Sequence, residues 1–517
     1  MKKNPSIFND VMGPIMRGPS SSHSAASVRL GRMARDLMDG NIKDILVEFD
    51  PKGSLATTHD SQGSDMGLCG GFLGWEAYDE RLVNYEEAMD ESGINFKVEI
   101  NNLNVDHPNI YKLTLKNDKE THKMIAISTG GGMIEVIEID SIQVSMIGDY
   151  YETLIYSEET KILDYLKDLS FTDKITDLEG IDTNIIEIKD QKFLDEEVKK
   201  NLRSKIKGLV IKEVKPVLPI LSREEMDVPF NNCEEMLKYN ENKNWDLWEL
   251  AVQYESIRGN ISSKEVIEKM KKIVQIMKDA IFNGLEGTNY SDRILGYQSG
   301  EFKAQIEANK LLDCGILNQI ILYITAIMET KSSMGVIVAA PTAGACGAIP
   351  GALIGAASLM KKSEEELAKA FLAAGIIGIF ISNGATFSAE IGGCQAECGS
   401  ASGMAAAGLV TLKEGKTKSA IDAASMALQN SFGMVCDPVA NRVEVPCLGK
   451  NVMAASNALS CANMAMANFD AVIPLGEVIK AMNNVGRSIP HELRCTALGG
   501  LSITKTSKIL EEKLRNN

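Results

Sequence analysis

The spacing of apolar residues predicts an N-terminal region that combines a helix with several strands. From Ala25 to Met38, apolar side chains recur at intervals of three and four residues, which predicts a helix. Ile45–Phe49 is an apolar run and predicts a strand. Three later runs alternate between apolar and polar side chains and predict strands of an antiparallel sheet: Phe96–Ile100, Tyr111–Leu115 and Lys123–Ser128. Residues 1–148 are therefore expected to form a mixed α/β domain.

A shorter, strongly charged segment follows, and its pattern predicts a small βαβ module. Strand-like runs at Thr153–Tyr156 and Asn184–Lys189 flank a helical pattern at Glu159–Asp168. No catalytic motif is recognisable in residues 149–220, so we expect this segment to serve regulation or dimer contact. Three prolines then mark a connector to the next region: Pro216, Pro219 and Pro229.

The remaining region, residues 221–517, has the apolar spacing of an all-helical domain. Beyond Ser333 it is dense in small side chains, which let helices approach each other closely around a pocket. Its longest apolar run, Ala370–Ile381, is too short to cross a bilayer. The clearest helical patterns are Trp245–Arg258, Ser263–Phe282 and Phe302–Lys310.

The composition is that of a globular, multidomain protein and narrows the classes of partner. A chain of 517 residues exceeds the size of one ordinary core, so several domains are expected. The formal net charge of −16 argues against nucleic acid or an anionic membrane as the main partner. The N-terminal residues show no secretory pattern, which favours the cytoplasm. In that reducing compartment, the ten cysteines indicate metal binding or catalysis rather than disulfides.

Two polar turns of the first region are candidates for a binding site. Ser20, Ser21 and Ser22 precede the predicted helix, where hydroxyl groups either cap free backbone amides or help to bind a carboxylate. His23 completes this turn and is either a capping or core histidine or part of a site. His107 lies in a second turn before a strand, where simple turn chemistry also explains the residues.

Three of the ten cysteines have sequence surroundings typical of metal ligands. Cys394, Cys436 and Cys447 lie beside glycine, aspartate or proline, in turns whose backbone can approach a metal closely. The sequence contains no Cys-x-x-Cys pair, no His-x-x-x-His spacing and no phosphate-binding glycine motif. Zinc ribbons, histidine-rich metal sites and nucleotide sites are therefore disfavoured. The spacing of the three thiols is, by itself, a weak signal for an iron–sulfur cluster.

Longer motifs of the chain resemble the bacterial iron–sulfur-dependent L-serine dehydratases, which are L-serine ammonia-lyases. The most specific matches are residues 392–407 and 436–451. With the shorter ones, the resemblance covers nearly the whole chain and implies fused beta and alpha portions. The shorter matches are Gly18–His23, Gly53–Ala56, Gly130–Gly132, Ala340–Gly347 and Thr496–Leu501.

This resemblance implies a multidomain α+β fold with three parts. Residues 1–148 would form a beta-type, allosteric-substrate-binding-like α/β domain, and residues 149–220 an ACT-like βαβ regulatory module with a linker. Residues 221–517 would form the alpha-type, all-helical catalytic domain. In the family pattern this last domain holds a [4Fe–4S] cluster with one open iron, whose ligands here would be Cys394, Cys436 and Cys447.

The same resemblance implies a reaction, a partner and further site residues. L-serine would be deaminated to pyruvate and ammonia by elimination at the open iron. The expected partner is this small-molecule amino acid, in a homodimer with no nucleic acid or membrane partner. The implied catalytic residues are His23 and His107, and the implied substrate-binding residues are Ser20, Ser21, Ser22, Thr342 and Gly344.

Two departures from the family pattern leave the substrate open. Gln62 stands where many members have a histidine, and Ala343 replaces the asparagine or cysteine of a familiar turn. The same chemistry on L-threonine or L-cysteine is therefore an alternative. A non-catalytic iron–sulfur redox or iron sensor could also use three cysteines, and an oligomeric scaffold could bury them. Neither of these two would need the polar serine and histidine turns.

Overall fold

The structure is a computed structural model that describes residues 4–104, 107–157, 162–167, 173–180, 183–206 and 208–515. Sheets occupy the N-terminal half of the chain, and helices make up nearly all of the C-terminal region. The mixed α+β prediction is confirmed at this level. The three predicted domain boundaries stay predictions.

The first region is a sheet covered on one face by helices. Its described strands have the order β3-β2-β4-β5-β6-β7, and α1 and α3 pack their apolar side chains against it. A short strand, β1, lies outside this sheet. The strands are β1 Ile15–Met16, β2 Asp44–Phe49, β3 Asn95–Ile100, β4 Ile110–Lys116, β5 Thr121–Gly130, β6 Met133–Ile139 and β7 Ile142–Met146. The helices are α1 Ala26–Asp36, α2 Leu55–Thr58, α3 Ser64–Phe72 and α4 Tyr85–Ser92.

The predicted elements of this region are confirmed, with one error of direction. The helix predicted at Ala25–Met38 is α1, and the predicted strands are β2, β3, β4 and β5. The antiparallel prediction is wrong for Phe96–Ile100, because β3 pairs with β2 in parallel. Three helices, α2 to α4, lie between these two strands and supply the long crossover that parallel neighbours require.

The second region is a small sheet with a β-α-β-β-α-β order, so the predicted single βαβ unit is incomplete. Its described strands have the order β11-β8-β10-β9, and all neighbours are antiparallel. The predicted helix Glu159–Asp168 is α5, whose flanks 159–161 and 168 lie outside the described residues. The elements are β8 Tyr151–Ser157, α5 Ile162–Lys167, β9 Lys174–Leu178, β10 Asn184–Asp190, α6 Glu196–Lys205 and β11 Val210–Val214.

Among its described residues, the third region is helical apart from one short strand, β12. Small residues allow close packing at its centre: a Cβ on Gly408 of α15 would lie 2.9 Å from Leu353 of α12. The elements are α7 Cys233–Asn240, α8 Leu247–Gly259, α9 Ser263–Glu286, α10 Ser299–Glu307, α11 Ile316–Ser332, β12 Ile337–Val338, α12 Ala348–Met360, α13 Glu364–Gly384, α14 Ala389–Gly392, α15 Ser400–Leu412, α16 Thr417–Gln429, α17 Cys447–Met466, α18 Leu475–Ser488 and α19 Lys505–Arg515.

Helix α13 is the one described helix that is long and apolar enough to cross a membrane by length and composition. The helix has 21 residues. The apolar run at 370–381 is therefore only part of a longer helix. In the structure, 78% of its most apolar window is buried inside the protein. It begins at a capping box between Ser363 and Glu366, an N-terminal arrangement also common in soluble helices.

The N-terminal segment Ile7–Met16 packs inside the helical region rather than on the first sheet. Ile7 and Val11 belong to the same apolar core as α13 and approach two of its glycines. The backbone amide of Ile7 donates a 2.8 Å hydrogen bond to the buried carboxylate of Glu255. Strand β1 then pairs antiparallel with β12. These contacts fix the polar turn that follows β1 against the helical region.

Candidate active site

Three buried thiols meet beside the short helix α14. Cys394, Cys436 and Cys495 form one buried cluster with Ala389 of that helix. Cys394 follows Gly393, whose φ of +70° favours glycine, and a Cβ there would lie 2.8 Å from the carbonyl oxygen of Met434. The local sequence thus bends the chain sharply just before the thiol, as the glycine and proline surroundings predicted.

A carboxylate joins this group. Sγ of Cys394, Sγ of Cys436 and a carboxylate oxygen of Glu397 lie within 4.8 Å of one another. Cys447, the first residue of α17, is also buried, and its charge interacts with that of Cys394. Burial raises the pKa of Cys447 well above the usual thiol value. Thiols that resist ionisation in a dry pocket become thiolate ligands when a metal supplies the compensating charge.

Cys495 is a thiol of this site that the sequence analysis did not assign. Its backbone amide donates a 3.1 Å hydrogen bond to the carbonyl of Cys436, and the two side chains lie in the same buried cluster. Nε2 of Gln62 lies 3.8 Å from Sγ of Cys495. Gln62, which replaces the family histidine, therefore contacts the thiol group directly. Cys398 is buried nearby, with its Sγ 3.7 Å from Nδ2 of Asn451.

Lys450 places a positive charge beside the thiols. Its Nζ lies 3.7 Å from Sγ of Cys394 and 3.0 Å from Oδ1 of Asp437, and it donates a 2.6 Å hydrogen bond to the carbonyl of Val435. Burial would lower the pKa of Lys450, but the nearby thiols and Asp437 raise it, so the ammonium stays charged. This cation offsets part of the negative charge that thiolates would bring into a buried site.

Thr342 and Gly344, the predicted substrate-binding residues of the helical region, both lie against Glu397. Oγ1 of Thr342 donates a 2.6 Å hydrogen bond to Oε1 of Glu397, and a Cβ on Gly344 would lie 2.7 Å from the same oxygen. Burial raises the pKa of Glu397 to about 7. Asn451 ties this turn to the thiols, because its Nδ2 donates 2.8 Å hydrogen bonds to the carbonyls of Gly344 and Cys447.

The serine and histidine turn forms a hydrogen-bonded group with Glu390 of α14. Ser22 donates a 2.6 Å hydrogen bond to Oε1 of Glu390. Nε2 of His23 lies 2.7 Å from Oγ1 of Thr58, whose own hydroxyl donates to the carbonyl of Ser54. His23 therefore carries its hydrogen on Nε2, and Nδ1 accepts a 2.9 Å hydrogen bond from Ser20.

His23 is fully buried and uncharged at neutral pH. Burial lowers the pKa of His23 to about 4, against the opposing attraction of the Glu390 carboxylate, whose Oε1 lies 3.8 Å from Nδ1. A neutral imidazole with an acceptor nitrogen on a serine hydroxyl is in the protonation state that a general base requires.

The first region closes over the helical region at two further contacts. Oγ of Ser21 accepts a 3.1 Å hydrogen bond from the backbone amide of Ala343. Gly130, with a φ of +100°, packs so closely on Ser388 that a Cβ would lie 2.8 Å from its backbone nitrogen. The serine turn and the Thr342–Gly344 turn, distant in sequence, therefore lie on either side of one interface.

His107 belongs to a different turn. It is half-buried, and its Nδ1 accepts a 3.1 Å hydrogen bond from the amide of Asn109. The next residue, Pro108, accepts a 2.8 Å hydrogen bond from the amide of Ser54. Ser54 in turn donates a 3.1 Å hydrogen bond to the carbonyl of Cys495. The structure thus groups Ser20, Ser22 and His23 around Glu390. The turn of His107 is connected to Cys495 through the hydrogen bonds of Ser54.

A cavity of about 410 Å³ lies between the two regions, next to these turns. Pro19 and Gly63, the neighbours of Ser20 and Gln62, line one wall. The helical region contributes Lys331 of α11, together with Arg442 and Val443 from the stretch that leads to Cys447. A cavity of this volume accommodates a small molecule beside the serine turn.

Comparison with known proteins identifies relatives for most of the chain. The family model for the serine dehydratase alpha chain matches residues 232–502. A probable L-serine dehydratase alpha chain of Bacillus subtilis is 35% identical over 285 residues, covering 55% of this chain and 95% of the relative. The alpha chain of L-serine dehydratase from Peptoniphilus asaccharolyticus is 32% identical, covering 54% and 96%. An L-serine dehydratase of Streptomyces coelicolor is 27% identical over 498 residues, covering 94% and 96%.

Proposed function

Because this chain belongs to the serine dehydratase alpha chain family and aligns over 94% of its length with an L-serine dehydratase, we propose that it is a lyase that converts L-serine to pyruvate and ammonia. The Cα proton and the hydroxyl group leave as water to give aminoacrylate, whose imine form is hydrolysed to the two products. The convergence of the Ser20–His23 turn and the buried thiols on α14 supports this function most directly.

The donor set fits an iron–sulfur cluster. Buried thiols without a metal are otherwise small apolar residues, but here they meet a carboxylate and a lysine, which suits a charged group. Cys394, Cys436 and Cys447 would hold a [4Fe–4S] cluster with one iron lacking a protein ligand. When bound, the cluster supplies a Lewis acid for the hydroxyl leaving group.

The polar turns of the first region would bind the substrate and move its proton. Ser20 and Ser22 donate to His23 and Glu390, whereas the Ser21 hydroxyl has no acceptor among the residues described. Ser21 is therefore the serine best able to donate a hydrogen bond to the substrate carboxylate. His23 would take the Cα proton at Nδ1, relayed by the Ser20 hydroxyl, and His107 is the second candidate base.

The remaining parts support a regulated, multidomain enzyme. The β-α-β-β-α-β order of residues 151–214, with its four described strands antiparallel, is the split βαβ arrangement and is consistent with an ACT-like regulatory module. We infer a beta-type domain at 1–148, this module and its linker at 149–220, and an alpha-type domain at 221–517. A homodimer in the cytoplasm, without nucleic acid or membrane partners, completes the proposal.

The alternatives are less well supported. The named relatives are serine dehydratases, which does not favour L-threonine or L-cysteine as the main substrate. A non-catalytic redox or iron sensor would not need the hydrogen-bonded group of Ser20, Ser22 and His23 at the thiols.

An anaerobic reconstitution tests this function. The full chain is loaded with iron and sulfide, and three products are followed: pyruvate from L-serine, 2-oxobutyrate from L-threonine and sulfide from L-cysteine. We expect pyruvate to form fastest. Faster release of 2-oxobutyrate or sulfide would identify L-threonine or L-cysteine as the preferred substrate. Absence of all three products with an intact cluster spectrum would exclude the lyase function.

A further inference from the structure

The cavity between the two regions has a buried cation at its inner wall and acidic residues at its rim. Lys331 is 1% exposed and lines the cavity. Carboxylates line the same cavity on both sides: Asp60, Glu86 and Glu87 belong to the first region, and Asp292 and Glu444 belong to the helical region. An α-amino acid at neutral pH is a zwitterion, with an ammonium and a carboxylate on adjacent atoms. The charge pattern of the cavity is complementary to such a ligand.

Lys331 has no carboxylate within ion-pairing distance among the residues that the structure describes. Its Nζ donates a hydrogen bond to the carbonyl of Val443, a neutral acceptor that leaves two ammonium hydrogens for other partners. Two other buried lysines, Lys199 and Lys212, do form ion pairs. Lys212, 2% exposed, lies 2.8 Å from both Asp39 and Glu120.

The carboxylates of Glu444 and Glu397 interact with the charge of Lys331, but neither forms an ion pair with it. Glu444 accepts hydrogen bonds from the backbone amides of Ile294 and Leu295, and Glu397 accepts one from Thr342. The buried ammonium is therefore only partly compensated, which is unfavourable. An anionic ligand in the cavity would provide that compensation. Arg442, the second cation on the same wall, already pairs with Asp292 and does not offer an uncompensated charge. Lys331 is therefore the cavity residue suited to bind a carboxylate.

The position of Lys331 connects the cavity with the thiols. Val443, whose carbonyl accepts the hydrogen bond from Lys331, lies in the same turn-rich stretch as Cys447. The positive charge of Lys331 acts on both Cys447 and Glu397. On the opposite wall, Pro19 and Gly63 flank Ser20 and Gln62. A small ligand held at Lys331 would share the cavity with Pro19 and Gly63, the neighbours of Ser20 and Gln62.

We propose that Lys331 binds the carboxylate of the amino-acid substrate in this cavity and so positions the substrate for elimination. This inference rests on the proposed function and adds a substrate-binding residue to it. The acidic residues of the cavity attract the substrate ammonium.

The test compares two ligands that differ only in the carboxylate. L-Alanine and L-alaninamide lack the leaving hydroxyl, so they act as competitive inhibitors without turnover. In the wild-type holoenzyme, L-alanine should inhibit at least about tenfold more strongly than L-alaninamide, the scale of one charge-assisted hydrogen bond. Lys331→Met should raise the KM for L-serine at least about tenfold and remove the preference for L-alanine. Lys331→Arg should restore part of it.

Arg442→Met is the matched control, because it removes a cation of the same wall whose charge is already compensated; the inhibitor preference should stay within about twofold of wild type. Equal weakening of both inhibitors by Lys331→Met would indicate a structural role and overturn the proposal, as would no change. If the wild type forms no pyruvate, the proposed function fails. Calorimetric binding of the two ligands to the full chain then still decides the role of Lys331.

Discussion

The hydroxyl group of Ser22 donates a 2.6 Å hydrogen bond to Glu390 across a sequence separation of 368 residues. Ser388 donates a second one, of 2.7 Å, to the other oxygen of the same carboxylate. Glu390 is buried, so both donors stabilise its charge. One donor comes from the first region and the other from the helical region, which allows the two contributions to be separated.

We expect Ser22→Ala and Ser388→Ala to destabilise the protein by similar amounts, about 1.5–3 kcal/mol each, because each removes one hydrogen bond to a buried carboxylate. Only Ser22→Ala should also lower kcat/KM strongly, since Ser22 belongs to the turn at the proposed substrate site. Thermal unfolding midpoints and steady-state kinetics measure the two effects. An equal loss of kcat/KM in both variants would mean that Ser22 acts only through Glu390.

The cluster ligands can be tested by chemical composition instead of activity. Cys394→Ser, Cys436→Ser and Cys447→Ser should each lose most of the iron and acid-labile sulfide after anaerobic reconstitution, because a hydroxyl is a poor ligand for iron in such a cluster. Cys461→Ser is the control, since Cys461 is buried on the same helix as Cys447 and contacts Asn430. Full iron content in Cys436→Ser would refute its assignment.

A variant of Cys495 tests whether this thiol is a ligand of the proposed cluster or only lies beside it. Its thiol contacts Gln62 and Cys436, and three other cysteines already complete the proposed ligand set. Cys495→Ser should therefore keep its iron and sulfide content, with a changed cluster spectrum because a hydrogen-bonding thiol beside the cluster is replaced. Loss of iron in this variant would add Cys495 to the ligands.

The close contact between Gly344 and Glu397 can be tested by an alanine substitution, with Gly449→Ala as the matched control. Gly344→Ala places a Cβ 2.7 Å from Oε1 of Glu397 and must displace that carboxylate. A Cβ on Gly449, in α17 near Cys447, meets no atom within 4 Å. We expect Gly344→Ala to lower kcat/KM at least about tenfold, whereas Gly449→Ala should keep it and gain about 0.5–1 kcal/mol of helix stability. Unchanged kinetics in Gly344→Ala would exclude a role for this close contact.

The His59–Asp65 pair predicts a pH-dependent contribution to stability. Burial lowers the pKa of His59, but the 2.7 Å hydrogen bond to Asp65 and the charges of Asp65 and Asp60 together outweigh it, and the net pKa lies above the ordinary 6.5. Because the folded-state pKa is raised, the stabilisation is fully present below the ordinary value and is lost as pH rises through the folded value. Asp65→Asn should therefore destabilise the protein by up to about 1 kcal/mol in mildly acidic buffer and by less in alkaline buffer. A constant difference across this range, measured by denaturant unfolding, would contradict the ion pair.

Local patterns determined how much of the fold could be predicted. Helix α9 buries Val266, Met270, Val274 and Met277 on one face, and this spacing is legible in sequence. The direction of β3 relative to β2 could not be predicted, because alternation of side chains does not distinguish parallel from antiparallel neighbours. Strands β9 and β11 were missed, since each has only five residues and mixes charged with apolar side chains.

The candidate site also has residues that local sequence signals could predict and residues that they could not. The turns at Cys394 and Cys447 could be predicted because glycine and proline beside a thiol are local signals. Glu390, Cys495 and Lys331 carry no such signal, as their roles arise from contacts across the fold: the Gln62–Cys495 contact, for example, joins residues 433 positions apart. A single glutamate, cysteine or lysine in an ordinary stretch of sequence is indistinguishable from a surface or core residue.

The N-terminal segment imposes an order on biosynthesis. Ile7 and Val11 pack against Gly375 and Gly378 of α13, so these two residues leave the ribosome long before the helix that covers them has been made. Until then these apolar side chains lack their native cover, and the nascent chain exposes a surface on which chaperones can act. A truncation that began after β1 would leave the same groove of α13 uncovered permanently, and such a chain should aggregate.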